Sequence, residues 1–421
     1  MQTKLSAEFK GTAEGEEAEA IVRKCVHCGF CNATCPTYQL LGDELDGPRG
    51  RIYLIKQLLE GGAVTRSTQV HLDRCLTCRN CETTCPSGVE YGHLVEIGRR
   101  LTETRVSRPA GERAARWLLK EGLTSPLFGP ALGAGRMLRP LLPPPLRNKV
   151  PARARRTPRP ETREPRAHPR KMLLPRGCVQ PAMRPSIDAA TVRVLDEAGI
   201  EALRAPGAGC CGALRMHLND RAGGLAHMRR NVDAWWPLIA TGEVEAILVN
   251  ASGCSQMIKE YGYELRDDAA YAQKAARVAA LTRDVCELLP DLLPVLRARL
   301  HPRRAARLAF HAPCTLQHGQ DVRGVEAQLA SAGFDVAVPA ESHLCCGSAG
   351  TYSVLQPELA NRLRDRKLEN LRALSPGCIV SANIGCIQHL QSATVLPVRH
   401  WIEVLDEALD PTPIASPRER S

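Results

Sequence analysis

The sequence lacks long apolar runs and contains few aromatic residues. Aromatic side chains make up 4% of its 421 residues, and no apolar run approaches the roughly eighteen residues expected of a transmembrane helix. The first 20 residues contain no apolar segment behind a basic start, so no secretory signal is expected. Nucleophile motifs, paired-carboxylate signatures and phosphate-binding loops are also missing. These absences favour a cytoplasmic protein without catalytic residues of its own.

Cysteine, in contrast, is abundant. The chain has 18 cysteines, of which eight lie within residues 1–100, none within 101–170 and ten within 171–421. In a reducing cytosol, thiols in spaced groups more often bind metal or carry out redox chemistry than form disulfides. Inert buried cysteines would not show such regular spacing.

The first eight cysteines form two copies of the motif C-x2-C-x2-C-x3-C-P. In two-cluster ferredoxins with this spacing, three thiolates hold one [4Fe–4S] cluster and the fourth serves the other cluster. A four-cysteine zinc site is the alternative, but it needs neither the further cysteines nor the proline. We therefore predict two [4Fe–4S] clusters with crossed ligands. The first would be held by Cys25, Cys28, Cys31 and Cys85, and the second by Cys75, Cys78, Cys81 and Cys35.

A helix is predicted between the two motifs, because four apolar residues fall on one helical face. We expect residues 1–104 to form a mostly helical domain, which resembles the C-terminal cluster domain of succinate dehydrogenase iron–sulfur subunits. Arg49 and Arg51 lie at the start of this helix. Surface pairing or capping is their expected role, and electrostatic stabilisation of reduced clusters is the alternative. The four apolar residues are Ile52, Ile55, Leu58 and Leu59.

Residues 105–170 are predicted to form a helix near Leu118, followed by a proline- and arginine-rich linker, since proline blocks helices. Residues 147–171 contain ten Lys/Arg and two acids, a net charge of +8. This charge favours an anionic partner, either lipid head groups or an acidic subunit. A solvated linker is the plain alternative. No aromatic residues alternate with the basic ones, so no nucleic acid partner is expected.

The remaining cysteines indicate an internal repeat, with one domain over residues 171–300 and a second over 301–421. In each half a cysteine is followed by a Cys-Cys-Gly sequence, after 32 residues in the first half and 31 in the second. A further Gly-Cys follows in both, so the halves are predicted to be duplicated domains. The repeated cysteines are Cys178, Cys210, Cys211 and Cys254, and Cys314, Cys345, Cys346 and Cys386.

Each half alternates short apolar runs with helical stretches, which predicts an α/β fold with parallel strands and with the cysteines near strand ends. The predicted strands are Lys171–Pro175, Glu245–Asn250, Arg307–His311, Phe334–Pro339 and Cys378–Ala382. The predicted helices are Ser186–Ala198, Leu225–Ile239, Pro357–Ala373 and Trp401–Leu409.

The Cys-Cys-Gly halves resemble the cysteine-rich (CCG) domains of heterodisulfide reductases and of respiratory iron–sulfur subunits. Segments such as GAGCCGALR and SHLCCGSAGTY are similar to glycolate oxidase iron–sulfur subunits, and the resemblance covers nearly the whole chain. It implies an electron-transfer subunit of a complex whose partner flavin subunit, with FAD, oxidises glycolate to glyoxylate. It also implies delivery of electrons to the quinone pool and a peripheral position on the inner face of the cell membrane.

Three other functions stay open at this point. Subunits that serve lactate or glycerol 3-phosphate share this architecture, because the flavin subunit selects the substrate. A heterodisulfide-reductase-like subunit would carry out thiol chemistry itself, although it normally has a fifth cysteine in each half. A zinc-stiffened scaffold would leave the two ferredoxin motifs unexplained.

The fifth cysteine of the CCG pattern is replaced by Met257 in the first half and His389 in the second. Four thiolates still suffice for a further iron–sulfur cluster or a zinc ion, and thioether or imidazole is a conceivable substitute ligand. We expect Met257 to pack in the core and His389 to make a surface hydrogen bond. Cys286 and Cys378 lie outside the pattern and are expected in the core. Residues 207–212 match G-x-G-x-x-G only as a by-product of Cys-Cys-Gly, so no nucleotide site is predicted.

Overall fold

Two parallel four-stranded sheets with the same strand order form the framework of the second part of the chain. The computed structural model describes residues 1–141, 166–302 and 306–409. The first sheet has the order β2-β1-β3-β4 and the second the order β6-β5-β7-β8, with parallel pairing throughout. The strands are β1 Arg170–Leu173, β2 Ile200–Leu203, β3 Ala246–Val249, β4 Thr282–Asp284, β5 Leu308–His311, β6 Val336–Ala337, β7 Cys378–Ser381 and β8 Val398–His400. The predicted α/β class and the duplication are confirmed.

All five predicted strands are present, although each is shorter than predicted, and three further strands were missed. The missed strands are β2, β4 and β8, and each lies at the edge of its sheet. An edge strand pairs on one side only, so it needs no continuous apolar run and leaves a weak signal in the sequence. The central strands β3, β5 and β7 are buried at every position and therefore stood out.

Helices connect the strands, and the four predicted helices agree with the structure except at their ends. The helix Arg221–Ala240 begins earlier than predicted because the Asp220 side chain caps it, accepting a hydrogen bond from the Gly223 N–H at 3.2 Å. The helices of the first half are Gln180–Met183, Pro185–Glu197, Ala213–His217, Arg221–Ala240, Ser252–Lys259, Tyr261–Glu264, Ala272–Leu281 and Leu289–Leu296. Those of the second half are Cys314–Gln317, Val325–Ser331, Tyr352–Leu355, Pro357–Arg372, Ile384–Gln391 and Trp401–Ala408.

The two halves share a hydrophobic core. One continuous cluster of buried side chains contains residues from both sheets and from the helices Pro185–Glu197 and Trp401–Ala408. The Trp401 indole N–H donates to the Cys286 sulfur at 3.2 Å. Cys286 and Cys378 are both buried in this core, as expected from the sequence. The halves therefore stabilise each other, and a boundary at residue 300 stays a prediction.

The N-terminal region, residues 1–105, consists of helices joined by loops. The predicted helix between the cysteine motifs is present as Pro48–Leu59, with all four of its predicted apolar residues buried. The expectation of a surface role holds for Arg49, which pairs with Glu44, but is wrong for Arg51, which is only 1% exposed. The helices of this region are Ala13–Lys24, Phe30–Ala33, Pro36–Leu41, Pro48–Leu59, Arg66–Asp73, Asn80–Thr84 and Tyr91–Arg105.

Two further helices, Ala110–Thr124 and Phe128–Leu138, form what we call the exposed helix pair. No residue of either helix is fully buried. The basic linker that follows lies mostly outside the described residues, which resume at residue 166. None of the described helices is long and apolar enough to cross a membrane.

Candidate iron–sulfur and thiol sites

Five cysteines from the two N-terminal motifs line one small cavity. They are Cys25, Cys28, Cys31, Cys81 and Cys85, and Tyr91 forms another part of the wall. We call the four predicted ligands among them, Cys25, Cys28, Cys31 and Cys85, the first thiol group. Cys25 is buried, whereas Cys28 is exposed, so this group reaches the protein surface. Burial, and then the neighbouring thiols of Cys25 and Cys28, raise the pKa of Cys31 to about 11.

The loops that carry these cysteines bend back through left-handed residues. In the first motif His27 and Gly29 have φ values of 62° and 87°, and in the second Thr77 and Arg79 have 50° and 57°. Gly29 adopts a backbone conformation that side-chain-bearing residues rarely take, so glycine is favoured there. Such turns direct backbone N–H groups towards a bound anion.

Cys75, Cys78, Cys81 and Cys35 form the second thiol group, which lies deeper in the protein. The Cys75 sulfur accepts hydrogen bonds from the Thr77 N–H at 3.4 Å and from the Tyr91 hydroxyl at 3.6 Å. Burial, followed by the charges of Cys78 and Cys75, raises the pKa of the Cys81 thiol well above its usual range. Thiols this costly to ionise in the free protein fit a site where metal binding would stabilise the thiolates.

Two buried arginines place positive charge beside the second group. Arg51 donates to the His71 carbonyl at 2.7 Å and to the Thr37 hydroxyl at 3.2 Å, and this hydroxyl lies 3.3 Å from the Cys35 sulfur. Although burial opposes it, neighbouring acidic groups, first Tyr91 and Cys75, raise the pKa of Arg51, which stays protonated. Arg99 donates to the Cys75 carbonyl and is also buried. The half-exposed Arg49 lies near the first thiol group.

The four cysteines of the first CCG half come together at the ends of β1 and β3. The Cys178 and Cys210 sulfurs are 3.5 Å apart. Hydrogen bonds from Cys178 and Cys211, with a further one from His227, hold the pKa of Cys210 far below its usual range. Cys211 in turn contacts Cys254. The structure therefore unites all four predicted thiols of this half.

The second half repeats this arrangement and touches the second thiol group. Contacts run from Cys314 to Cys345, from Cys345 to Cys346, and from Cys346 to Cys386. Cys314 also makes a hydrogen bond to Cys78. The duplicated region is thus in direct contact with the N-terminal cysteines.

A histidine that the sequence analysis missed belongs to this last group. A nitrogen of His311 and the sulfurs of Cys346 and Cys386 all lie within 4.8 Å of one another. Burial lowers the pKa of His311 to about 3, so its imidazole ring is neutral. The available signal was the position of His311 at the end of a predicted strand, three residues before Cys314.

The two candidate substitute ligands take other roles. The His389 ring N–H donates to the Ala360 carbonyl at 3.1 Å, and His389 does not join the close group of donors. Met257 packs in the core of the first half, near Trp235, and reaches the cavity wall.

One cavity of about 1920 Å³ connects these sites. All eight CCG cysteines and Cys78 line it. Apolar side chains of the exposed helix pair form another part of the wall, and polar groups include Arg184 and Arg399. The apolar wall residues from the helix pair are Leu119, Leu123, Phe128, Ala131 and Leu132.

Comparison with known proteins agrees with this division. Residues 21–89 match the 4Fe-4S dicluster domain, and residues 174–259 and 308–391 match the cysteine-rich domain CCG. The glycolate oxidase iron–sulfur subunit of Escherichia coli (strain K12) is 53% identical over 97% of this chain and 100% of its own length. The probable glycolate oxidase iron–sulfur subunit of Bacillus subtilis (strain 168) is 29% identical, over 89% of both proteins. Lactate utilization protein A of the same strain is 26% identical over 54% of this chain and 96% of its own length.

A dicluster domain at the helical N-terminus, joined to a duplicated cysteine-rich α/β region, defines an iron–sulfur electron-transfer protein with two [4Fe–4S] clusters. The high identity over nearly the whole length shows that this chain belongs to the family of glycolate oxidase iron–sulfur subunits.

Proposed function

We propose that this chain is the electron-transfer subunit of a glycolate-oxidising complex, and that it passes electrons from a partner flavin subunit towards the quinone pool. The first thiol group would hold one [4Fe–4S] cluster and the second group the other. When bound, each cluster accepts and releases one electron at a time. The observation that carries this proposal is the full-length similarity to the E. coli glycolate oxidase subunit.

The first thiol group is the proposed side for electron input. Cys28 is exposed there, and its neighbours Val26 and Phe30 are 68% and 61% exposed. Exposed apolar side chains around a redox site are typical of a docking surface for a partner protein. The flavin subunit would therefore bind over this surface.

The second thiol group is the proposed side for electron output. Arg51 and Arg99 stabilise added negative charge near it, and Cys78 faces the large cavity. The apolar wall formed by the exposed helix pair suits a quinone ring, and the cavity brings such a molecule close to Cys78. These features support a quinone acceptor at this cavity.

The outer face of the helix pair supports membrane contact. Large apolar side chains of the pair and of its flanking residues are exposed, and the basic linker of net charge +8 (ten Lys/Arg minus two acids in residues 147–171) follows in the sequence. A basic segment beside exposed apolar residues is typical of proteins that lie on an anionic lipid surface. The exposed residues are Trp117, Leu118, Leu127, Met137, Leu138 and Leu141.

Reconstitution with the flavin subunit tests the main proposal. Glycolate added anaerobically should reduce both clusters, as observed by EPR, and lactate or glycerol 3-phosphate should do so more slowly. Val26→Asp should slow this reduction because it places a charge on the docking surface. Val295→Asp is the matched control, since Val295 is 56% exposed elsewhere. Equal rates for the two variants would refute the docking surface, and faster reduction by lactate would refute glycolate as the substrate.

Vesicle flotation tests the membrane contact separately. The chain should bind vesicles that contain anionic lipid, and binding should weaken with salt because the charges are exposed. Leu127→Glu should reduce binding, whereas Val338→Glu, at a 47% exposed position outside the helix pair, should not. Equal binding to neutral vesicles would contradict the role of the basic linker.

A further inference from the structure

His311 has no hydrogen-bond partner although it is inside the protein. It ends strand β5 and is only 1% exposed. Neither of its ring nitrogens has a partner among the described residues. A buried polar group without a partner costs about 1–3 kcal/mol, so such a group calls for an explanation such as an ion.

Two thiols lie where an ion would need them. The sulfurs of Cys346 and Cys386 and a nitrogen of His311 are mutually within 4.8 Å, and all three residues are buried. Around one tetrahedral zinc ion, with bonds of about 2.3 Å to sulfur and 2.0 Å to nitrogen, ligand atoms lie about 3.5–3.8 Å apart. Small side-chain adjustments would therefore complete the coordination.

The spacing differs from that of the ferredoxin-type cysteines. In a [4Fe–4S] cluster each cysteine binds a different iron atom, so the sulfurs are further apart than ligands of a single ion. None of the eight N-terminal cysteines, all within the described residues, belongs to a comparably close group. The second half thus has the geometry of a mononuclear site.

We propose that His311, Cys346 and Cys386 bind a single zinc-class ion in the second CCG half. Thiolate and imidazole are the donors that zinc prefers. Cys345, in contact with Cys346, is a further donor available for the fourth position. His311 thereby takes the ligand role of the fifth cysteine of the CCG pattern, for which His389 was only an alternative in the sequence.

The ion would have a structural role beside the electron path. It would tie the end of β5 to the Cys-Cys-Gly loop and to the helix Ile384–Gln391, which carries Cys386. Cys314, on the helix just after β5, makes the hydrogen bond to Cys78 of the second thiol group. The site would therefore fix the cavity wall next to that group.

Metal analysis of the purified full-length chain, with zinc X-ray absorption, tests the proposal. His311→Ala should lose one zinc per chain relative to wild type, while iron stays at about eight per chain, as expected for two [4Fe–4S] clusters. His311→Cys should restore the zinc and replace a nitrogen ligand with sulfur in the absorption spectrum. His389→Ala is the matched control and should keep full zinc.

Several outcomes would overturn the inference. They are unchanged zinc in His311→Ala, equal zinc loss in His389→Ala, or about twelve irons per wild-type chain with no zinc in this half. Cys386→Ser should lose the same zinc, whereas Cys378→Ser, a buried cysteine outside the group, should not. Unchanged EPR spectra of the two clusters show that each variant is folded. If the purified wild-type chain contained no acid-labile sulfide, the electron-transfer proposal itself would be refuted.

Discussion

Replacing Arg51 should lower the reduction potential of the cluster proposed at the second thiol group. The Arg51 Nη2 atom lies 3.2 Å from the Thr37 hydroxyl, which lies 3.3 Å from the Cys35 sulfur, so the charge is at most 6.5 Å (3.2 + 3.3) from that sulfur. At an effective dielectric constant of about 20, a unit charge at this distance contributes about 2.5 kcal/mol. For a one-electron couple this corresponds to about 100 mV. Since a positive charge stabilises the reduced cluster, Arg51→Met should shift the potential downward.

An EPR-monitored redox titration measures this shift. Arg51→Lys keeps the charge and should shift the potential much less. Arg49→Met removes a half-exposed arginine near the first thiol group, and solvent screening should keep its effect small. The buried Asp46 carboxylate lies 3.5 Å from Arg51 and 2.8 Å from Arg74. In the Arg51 variant it should remain paired with Arg74, which limits the cost of leaving it buried. An unchanged potential in Arg51→Met, with the cluster retained, would refute the electrostatic argument.

Three further predictions concern the thiol groups and the contacts between domains. Cys85→Ser should alter the EPR signal of the cluster at the first thiol group, because Cys85 lines the cavity of that group. A change only in the signal of the cluster at the second thiol group would contradict the crossed ligands. Cys314→Ala should lower the potential of the second cluster, because it removes a hydrogen bond to Cys78, whereas Cys378→Ala should leave it unchanged. The pKa of Glu260 is lowered to about 2. Burial alone would raise this pKa, but the hydrogen bond from His93 and the charge of Arg79 outweigh burial. The resulting stability is fully present above the ordinary pKa of about 4.3 and is lost as the pH falls through about 2, so at pH 7 Glu260→Gln should cost up to about 3 kcal/mol. Hydrogen exchange in the helix Tyr91–Arg105 reports this loss, and unchanged exchange would argue against the contact.

Local spacing was enough to predict the ferredoxin motifs, because a cluster constrains cysteines only a few residues apart. The same holds for the helix Pro48–Leu59, whose apolar face follows the helical period. The α/β character of the halves also followed from local patterns, since the central strands β3, β5 and β7 are short, mostly apolar runs. Strand β4, with the sequence Thr-Arg-Asp, shows no such pattern and was missed.

Other features depend on contacts between residues far apart in the sequence. The role of Arg51 was misjudged because its partner, the His71 carbonyl, lies on another helix and buries the guanidinium. His311 had no motif of its own, and only the fold brings it to Cys346 and Cys386. Likewise, no spacing rule relates Cys78 to Cys314, which lie in different domains.

The sequence by itself determined the class of this protein, its two [4Fe–4S] clusters and its duplicated halves. Each of these depends on short-range spacing, which the chain carries regardless of how it folds. Only the tertiary structure decided that the two halves share one core and that their cysteines face one cavity beside the second thiol group. These arrangements arise because apolar burial joins surfaces from distant parts of the chain, and local sequence patterns do not record which surfaces will meet.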